Sequence, residues 1–554
     1  MHQGIWTTPT PIVSPFCKIF PVRFSLMNHR QTALKTIQLK SWLPLGVIVL
    51  LATILRLYQL GTESLWVDEM LSIGDAQRLN EILTLPYVRP FYFLLLAGWM
   101  QLGTSDVWLR GLSVILGIGS VFFTYQLGRR LVGEATGQIA ALLMALSPLF
   151  INHSQEIRMY TLVSFLSLAG TLALSYALER PTFPLLAGWT AARTALLITN
   201  VNTVLIVLPD LLIVCWTYRQ KIRTLFAFAA GFAVTGLFFL PPFWALTFGG
   251  VSEKFMSNQV GDYAKPGILQ VVGMITQFVV YWPLRHLLES NQISLGKGEL
   301  GDASLLNNLF ATQGLTLLYY AGFTALLCGL LGLAVIAVFT QYRSERLVWL
   351  AAWGFIPAIA SFVLSYLQSS IWFPRYLMFI APYFLILVAG GFMVIWNWRK
   401  PAAMAIIVAY LIAVSGGLKD YYTTLYRNDW QGVAEFIQQN EQPEDVIVYY
   451  SVQRFFDQSL PRYYNGSGKL YPINKPSPSP LSAAEIEQEL GSIPPVESRL
   501  WLVCWVFCRD QEGIENIFET VVGEDYTLEN QTTFKSLEFD PVKVFLVSSD
   551  TDTV

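Results

Sequence analysis

Long apolar segments recur along most of this 554-residue chain, and they limit its possible folds more than any other feature. A helix needs roughly 20 apolar residues to cross about 30 Å of hydrocarbon, and about eleven segments approach that length. Their predicted bounds are 42–59, 108–128, 135–151, 159–178, 184–199, 201–217, 224–246, 315–340, 347–367, 377–396 and 402–418. Hydrophobic residues make up 54% of the chain and charged residues 13%, so the lipid bilayer is predicted to be its main solvent.

Two regions leave the number of crossings open. The segments 184–199 and 201–217 are short, and only the polar stretch 200–202 separates them. The apolar run 91–102 is shorter still and directly follows Arg89 and a proline. That run is expected to form an interfacial or half-inserted helix and not a crossing.

The positive charges between the apolar segments predict the orientation, because cytoplasmic loops are enriched in Lys and Arg. If the basic N-terminal arm is cytoplasmic and 91–102 does not cross, five cationic loops fall on the cytoplasmic side. These loops hold Arg129 and Arg130, Arg180, Arg219 to Arg223, Arg343 to Arg346, and Arg399 with Lys400. The outer side then receives the segments 60–107, 152–158, 247–313 and 368–376 and the tail from about residue 420.

Three parts are predicted along the chain. Residues 1–40 form a cytoplasmic basic arm, because no small-residue cleavage site follows the first apolar run. Residues 41–420 form the transmembrane part, and residues 421–554 form a small extracytoplasmic α/β domain. In this domain we expect a helix at Asp429–Asn440, strands at Val446–Tyr450, Leu500–Phe507 and Val542–Ser548, and a loop at Pro472–Pro480.

Charge and ligand spacing argue against several classes of partner. The formal net charge is only −2, so no global basic field points to nucleic acid. The four histidines are scattered without paired spacing and the five cysteines include no CxxC, so a metal centre is not indicated, although a divalent ion stays open. Cys504 and Cys508 lie too far apart along an extended strand for a disulfide unless the strand bends, and they are left unassigned.

Two adjacent carboxylates, Asp68 and Glu69, follow the apolar stretch Leu65–Val67 in the first outer segment. A carboxylate held partly out of water at the membrane surface becomes more basic, which suits a general base. The alternative is a solvated helix N-terminus, where the helix dipole favours acids.

The second outer segment places Gln155, Glu156, Arg158 and Tyr160 at the mouth of an apolar helix. Ionisable groups at membrane depth are candidate functional residues by default. Glu156 and Arg158 could instead pair with other neighbours, since residues two apart on a helix do not face each other.

Arg375 is a single cation between two late spans. An arginine beside interfacial aromatics often serves only as a membrane anchor. Together, the three segments supply acids and two guanidinium groups on one face. This set can deprotonate a hydroxyl while neutralising a phosphate.

The chain resembles the bacterial membrane glycosyltransferases of the GT-C class, in the protein O-mannosyltransferase-like group that includes the lipid A aminoarabinose transferase. The resemblance rests on four motifs and is strongest over residues 42–180. They are Arg56…Leu60-Gly61…Ser64-Leu65-Trp66-Val67-Asp68-Glu69, Arg89-Pro90-Phe91-Tyr92-Phe93-Leu94-Leu95, Leu109-Arg110…Leu127-Gly128-Arg129-Arg130-Leu131 and Ser154-Gln155-Glu156-Ile157-Arg158-Met159-Tyr160. Elsewhere the match consists of hydropathy and the Arg375-Tyr376…Pro382 pattern.

The resemblance implies a mostly α, polytopic GT-C helical bundle with its site at the outer face of a bacterial inner membrane. It implies inverting transfer of a sugar from a polyprenyl-phosphate donor to a glycan, lipid or protein hydroxyl acceptor. Asp68 or Glu69 would act at the acceptor, and the implied donor-binding residues are Arg89, Gln155, Glu156, Arg158, Tyr160 and Arg375. The chain departs from the family at Arg89-Pro90, where His-Pro-Pro is usual, which leaves any metal or phosphate contact there in doubt.

Three other classes of protein share some of these sequence features. A lipid-linked sugar flippase or transporter would also be polytopic, but it is expected to show internal repeats with polar sites near the midplane. An enzyme that uses a nucleotide sugar often has a metal-binding Asp-x-Asp, and the only such pair is Asp550 and Asp552 near the C-terminus. A structural or sensor role would leave the outer polar residues unexplained.

Overall fold

The computed structural model describes residues 34–82, 90–248, 266–280, 321–336, 345–367, 371–451, 459–474, 499–505, 526–536 and 541–549. The predicted site residue Arg89 and the segment 1–33 lie outside this part. The described helices are α1 (Leu34–Leu57), α2 (Val67–Gln77), α3 (Leu79–Ile82), α4 (Pro90–Met100), α5 (Asp106–Leu131), α6 (Glu134–Leu146), α7 (Pro148–Ser154), α8 (Tyr160–Ala177), α9 (Phe183–Leu197), α10 (Val207–Tyr218), α11 (Ile222–Phe248), α12 (Ile268–Val279), α13 (Ala321–Ile336), α14 (Glu345–Leu367), α15 (Ala381–Trp398), α16 (Lys400–Thr423) and α17 (Trp430–Asn440). The protein is therefore mostly helical, as predicted.

Each of the eleven predicted crossings overlaps a described helix or a consecutive pair of helices. Within the described ranges, seven helices are long and apolar enough to cross a membrane, or eight if α6 and α7 count as one bent span. The predicted number of about eleven is therefore not confirmed. Helix α4 has 11 residues and rises only about 16 Å, too little to cross the hydrocarbon layer alone.

A bend of 62° separates α6 from α7. It falls at Pro148, which lacks a backbone donor and disfavours helical geometry at the residue before it; accordingly Ser147 is extended. Arg56 donates to the carbonyl oxygens of Met144 and Ala145, both at 3.2 Å, at the end of α6. The arginine thus satisfies carbonyls that the break would leave unpaired in an apolar region.

The helices α5 and α6 are in close contact at Gly137. A Cβ atom on Gly137 would lie 2.6 Å from the carbonyl oxygen of Tyr125 and 2.7 Å from the amide nitrogen of Arg129. Any larger residue would therefore push the two helices apart. This contact fixes α5, which carries Arg110 of the candidate site, against the rest of the bundle.

A buried ion pair joins α9 to α10 inside the bundle. Arg193 Nε lies 2.7 Å from Asp210 Oδ2, and neither side chain is more than 1% exposed. The indole nitrogens of Trp189 and Trp353 donate to the same carboxylate at 2.9 and 2.8 Å. Since Arg193 also donates to the backbone carbonyl of Ser167, the pair links four helices.

Two further clusters of charged groups lie near opposite ends of α5. Arg110 near the start of α5 and Arg130 near its end lie roughly 30 Å apart, given about 1.5 Å of rise per residue. At the Arg130 end, Glu179 binds Arg130 at 3.1 Å and Arg346 at 2.5 Å. The candidate site lies at the Arg110 end.

The C-terminal region contains a five-stranded sheet in the order β2-β1-β3-β5-β4. Its strands are β1 (Val446–Ser451), β2 (Lys469–Asn474), β3 (Arg499–Cys504), β4 (Tyr526–Phe534) and β5 (Val542–Ser549). Strand β1 runs parallel to β2 and β3, whereas β5 is antiparallel to β3 and β4. Helix α17 packs its apolar side chains, among them Trp430 and Val433, against this sheet.

The predicted helix and the predicted strands Val446–Tyr450 and Val542–Ser548 are confirmed. The predicted strand Leu500–Phe507 is confirmed as far as Cys504, and residues 506 and 507 lie outside the described part. Two further strands were missed. The expected loop Pro472–Pro480 is wrong at its start, because β2 continues through Pro472 to Asn474, and residues 475–480 lie outside the described part. Proline is tolerated there because β2 is an edge strand. Strand β4 consists largely of exposed polar residues, so it has no apolar run to predict it.

Candidate active site

Asp68 and Arg158 form an ion pair at the start of α2. Arg158 Nη2 lies 3.3 Å from Asp68 Oδ2, with the two side chains 16% and 27% exposed. Arg158 Nη1 also donates to the backbone carbonyl of Asp68 and to Ser72 Oγ, both at 3.1 Å. The pairing raises the pKa of Arg158, although burial alone would lower it. The first and second predicted segments therefore meet at a carboxylate that solvent still reaches.

Arg375 lies in the 3₁₀ turn Pro374–Leu377 that precedes α15. Its guanidinium lies 5.1 Å from the ring centre of Tyr376, and that of Arg158 lies 5.8 Å from the ring centre of Tyr160. On α8, which begins at Tyr160, Ser164 Oγ donates to the carbonyl oxygen of Met378 at 2.8 Å. The third predicted segment therefore packs against the start of the helix that follows the second.

Glu69 occupies a different environment from its neighbour Asp68, because its side chain is fully buried. Arg110 binds it through two nitrogens, Nε to Oε1 and Nη2 to Oε2, each at 2.9 Å. The amides of Ile157 and Trp66 donate to the same carboxylate at 2.9 and 3.2 Å. With both oxygens engaged, Glu69 ties the start of α2 to α5 and to the segment before α8.

Arg110 extends this attachment to the loop that precedes α2. It donates to the carbonyl oxygens of Leu60 and Glu63, each at 2.9 Å, and to that of Ser64 at 3.3 Å. A single buried arginine thus fixes the loop backbone and the first turn of the helix that carries Asp68.

Glu156 is also buried, with its carboxylate 2.9 Å from His153 Nδ1 and 3.3 Å from Arg427 Nη2. Burial alone would raise its pKa. The interactions with His153, then Arg427 and Arg158, outweigh burial and lower the pKa of Glu156 to about 2. Glu156 is therefore ionised at neutral pH, and its partners compensate its charge.

Gln155 connects two helices. Its amide nitrogen donates to the carbonyl oxygens of Arg56 and Tyr58 at 3.0 and 2.8 Å, and its amide oxygen accepts from Tyr421 at 2.6 Å. These contacts join the end of α1 to the end of α16. Tyr160, also predicted as a site residue, packs against His153 with ring centres 4.8 Å apart.

Arg427, between α16 and α17, was not among the site residues predicted from the sequence. It lies 3.4 Å from carboxylate oxygens of Glu63 and Glu69 and 3.3 Å from Glu156. Burial alone would lower its pKa, but the three carboxylates raise it. The sequence signal was weak, because Arg427 is a single cation some 270 residues away from Glu156 along the chain.

Asp75 was missed as well. It is half-buried on α2, two helical turns after Asp68, and its partner Arg78 lies 3.7 Å away. Burial raises the pKa of Asp75, while Arg78 and Arg158 act in the opposite direction. The seven-residue spacing from Asp68 could have suggested that both acids share one helix face.

A cavity of about 220 Å³ adjoins these charges. Among its lining residues are Glu63, Arg110, Gln155 and Arg427, and Asp68 is not one of them. Within the part of the chain that the structure describes, no group of three or more His, Cys, Asp or Glu side chains could hold a metal ion.

The protein resembles known proteins in its structure and not in its sequence. No protein-family profile and no curated protein matches the sequence. ArnT from Cupriavidus metallidurans bound to undecaprenyl phosphate matches with a TM-score of 0.52 and 12% identity, over 90% of this chain and 97% of that one. The apo state of ArnT gives a TM-score of 0.51 and 12% identity, over 92% and 98%.

The apo oligosaccharyltransferase from Archaeoglobus fulgidus also matches, with a TM-score of 0.50 and 14% identity, over 85% of this chain and 70% of that one. At such identities the likeness shows the fold alone. The seven apolar helices and the small C-terminal sheet agree with it. The chain is an integral membrane protein with the GT-C fold of these membrane glycosyltransferases.

Proposed function

We propose that this protein is an inverting glycosyltransferase. It moves a sugar from a polyprenyl-phosphate donor to a hydroxyl acceptor at the outer face of the membrane. The observation that carries the proposal is the accessible Asp68 carboxylate, which lies beside Arg158 at one end of a GT-C bundle, where the segment of Arg375 packs against the start of α8. ArnT, which shares the fold, has been solved with bound undecaprenyl phosphate. The acceptor is a glycan, lipid or protein hydroxyl.

Asp68 is the proposed general base. It takes the proton of the acceptor hydroxyl as that oxygen attacks the anomeric carbon. The bond from this carbon to the phosphate oxygen breaks, and polyprenyl phosphate leaves with the electron pair. One displacement inverts the anomeric carbon. A phosphate leaving group needs little protonation, so cations can stabilise it without a general acid.

Arg158 and Arg375 are the proposed phosphate-binding groups. A guanidinium binds phosphate through charge-assisted hydrogen bonds, often in pairs. Because Arg158 also holds Asp68, a donor phosphate that draws Arg158 away would free the Asp68 carboxylate for the acceptor proton. Glu69 is less suited to this role, since its oxygens are engaged by Arg110 and by backbone amides.

Undecaprenyl phosphate binding to the purified protein tests this assignment. Loss of a hydrogen bond to a charged group typically costs about 1.5–3 kcal/mol, so Arg158→Ala and Arg375→Ala should each weaken binding by roughly 10- to 100-fold. The control Arg129→Ala removes an exposed arginine at the opposite end and should bind like wild type. Equal affinities in all four proteins, measured by tryptophan fluorescence, would contradict the proposed phosphate site.

The C-terminal region is proposed to lie outside the cytoplasm. The ion pairs that include Arg129, Arg130 and Arg346 gather at the end away from Asp68, as the positive-inside tendency expects of a cytoplasmic end. Cys504 is disulfide-bonded, which suits an oxidising compartment.

An alkaline phosphatase fusion at Val554 is therefore expected to be active. A fluorescent protein that matures only in the cytoplasm should stay dark at the same position. The opposite pair of results would place the C-terminal region in the cytoplasm and reject the proposed orientation.

A further inference from the structure

Arg427 carries contacts that the proposed chemistry does not use. It connects three buried or part-buried carboxylates from separate segments, those of Glu63, Glu69 and Glu156. Of these three carboxylates Arg110 binds that of Glu69, and it reaches Glu63 at the backbone carbonyl. Without Arg427 the three acids would retain Arg110, His153 and Arg158 as cationic partners, and Arg158 is already paired with Asp68, so negative charge would remain uncompensated in a buried place.

The C-terminal region contacts the helix of Asp68 at further points. Val67, the first residue of α2, packs against the core of the C-terminal sheet. The backbone N–H of Leu65 donates to the Tyr463 hydroxyl at 2.7 Å, and the backbone N–H of Gln431 donates to Ser64 Oγ at 2.9 Å. The residues directly before Asp68 thus contact the C-terminal region as well as the helical bundle.

Asp106 provides a second attachment between the same two parts. Its carboxylate accepts hydrogen bonds from Arg462, at 2.8 Å from Nε, and from the Tyr463 hydroxyl at 2.7 Å. Asp106 begins α5, the helix that carries Arg110. The C-terminal region therefore touches both elements that place Glu69 and, through it, the neighbouring Asp68.

We propose that Arg427 is a positioning residue through which the C-terminal region holds the first turn of α2, and with it Asp68, in its reactive place. This inference rests on the proposed function of Asp68. Arg427 neutralises the acids that flank Asp68, so its loss lets Glu63, Glu69 and Glu156 repel one another and shifts the turn between Trp66 and Glu69. Misplacement of a reacting group by about 1 Å can cost roughly 10²-fold in rate.

The test compares Arg427→Gln with the double variant Arg427→Gln/Glu63→Gln and with the distant control Arg129→Gln. Purified variants are added to membranes of a deletion strain, which supply both the accumulated donor and the unmodified acceptor. The release of undecaprenyl phosphate is followed at pH 8. Hydrogen exchange of the peptide covering residues 64–77 is measured on the same preparations.

Arg427→Gln is expected to release undecaprenyl phosphate about 10²-fold more slowly at pH 8, while its affinity for added undecaprenyl phosphate stays within about threefold of wild type. Glu63→Gln should restore part of the rate at pH 8, because it removes one uncompensated charge. Exchange in 64–77 should be faster in Arg427→Gln than in Arg129→Gln.

Two outcomes overturn the inference. In the first, Arg427→Gln yields less folded protein, but the folded fraction has wild-type specific activity and exchange, so Arg427 contributes only to stability. In the second, the loss is not relieved by Glu63→Gln. If wild-type protein itself releases no undecaprenyl phosphate, the proposed function fails instead, and the exchange data alone then decide whether Arg427 holds α2.

Discussion

Asp68→Asn is expected to lower turnover by about 10²- to 10⁴-fold, the usual cost of removing a general base. Amounts of folded protein and the affinity for undecaprenyl phosphate should stay close to wild type. Asparagine keeps the size of the side chain, and Arg158 Nη1 still has the backbone carbonyl of residue 68 and Ser72 Oγ as acceptors. Initial rates at saturating donor, with purified protein in liposomes, measure the effect.

Glu69→Gln is the matched variant, one residue away. It should act mainly on folding, because it removes the charge opposite the buried Arg110. Breaking a buried ion pair by removing one partner typically costs about 3–5 kcal/mol. A folded, inactive Glu69→Gln beside an active Asp68→Asn would move the base assignment to Glu69. Activity in both variants would reject the proposed mechanism.

The second large effect is expected inside the bundle. Asp210→Leu should lower the free energy of unfolding by about 3–5 kcal/mol, because it leaves Arg193 buried without its counter-ion. Two indole donors, from Trp189 and Trp353, would lose their acceptor as well. The melting temperature in detergent and the amount of monodisperse protein measure the loss.

The double variant Arg193→Met/Asp210→Leu serves as the control. Replacing a buried ion pair by apolar residues of similar size is often neutral or stabilising, so this protein should regain much of the lost stability. A double variant as unstable as Asp210→Leu would show that the pair contributes more than charge compensation. The close packing of Arg193 against Gly170 would then be the next contribution to test, because a Cβ atom on Gly170 would lie 2.7 Å from Arg193 Nη1.

The helical framework was predictable because long apolar segments by themselves predict helices. Every predicted segment overlaps a described helix, yet only seven of the described helices meet both length and hydropathy criteria. The break at Pro148 shows one reason. A bent span divides into two helices, each too short by itself, and the bend is stabilised by Arg56 from a different helix.

The site was predictable as a group of segments, but individual roles were not. Asp68 and Arg158 form an ion pair, and the segment of Arg375 packs against the start of α8, as the positions of these segments in the sequence suggested. Asp68 and Glu69 are adjacent in the sequence, and only the fold shows that Arg110 engages one of them and leaves the other accessible. Neighbouring side chains on a helix point about 100° apart. A single sequence does not show which of the two faces the site.

Arg427 was not predictable because its partners are long-range. The ion pair with Glu69 spans 358 positions and that with Glu156 spans 271. A single arginine beside the membrane is compatible with a simple anchor. Only the packing of the C-terminal region on α2 brings it to the carboxylates.

The most direct measurement of the central claim is the profile of lipid-linked and surface glycans in a deletion strain that carries either wild-type protein or Asp68→Asn. We expect a polyprenyl-phosphate sugar to accumulate, and one sugar to be missing from the cell surface, in the deletion strain and in the Asp68→Asn strain. Wild-type protein should restore both. Identical profiles in the deletion and wild-type strains, or full restoration by Asp68→Asn, would contradict it.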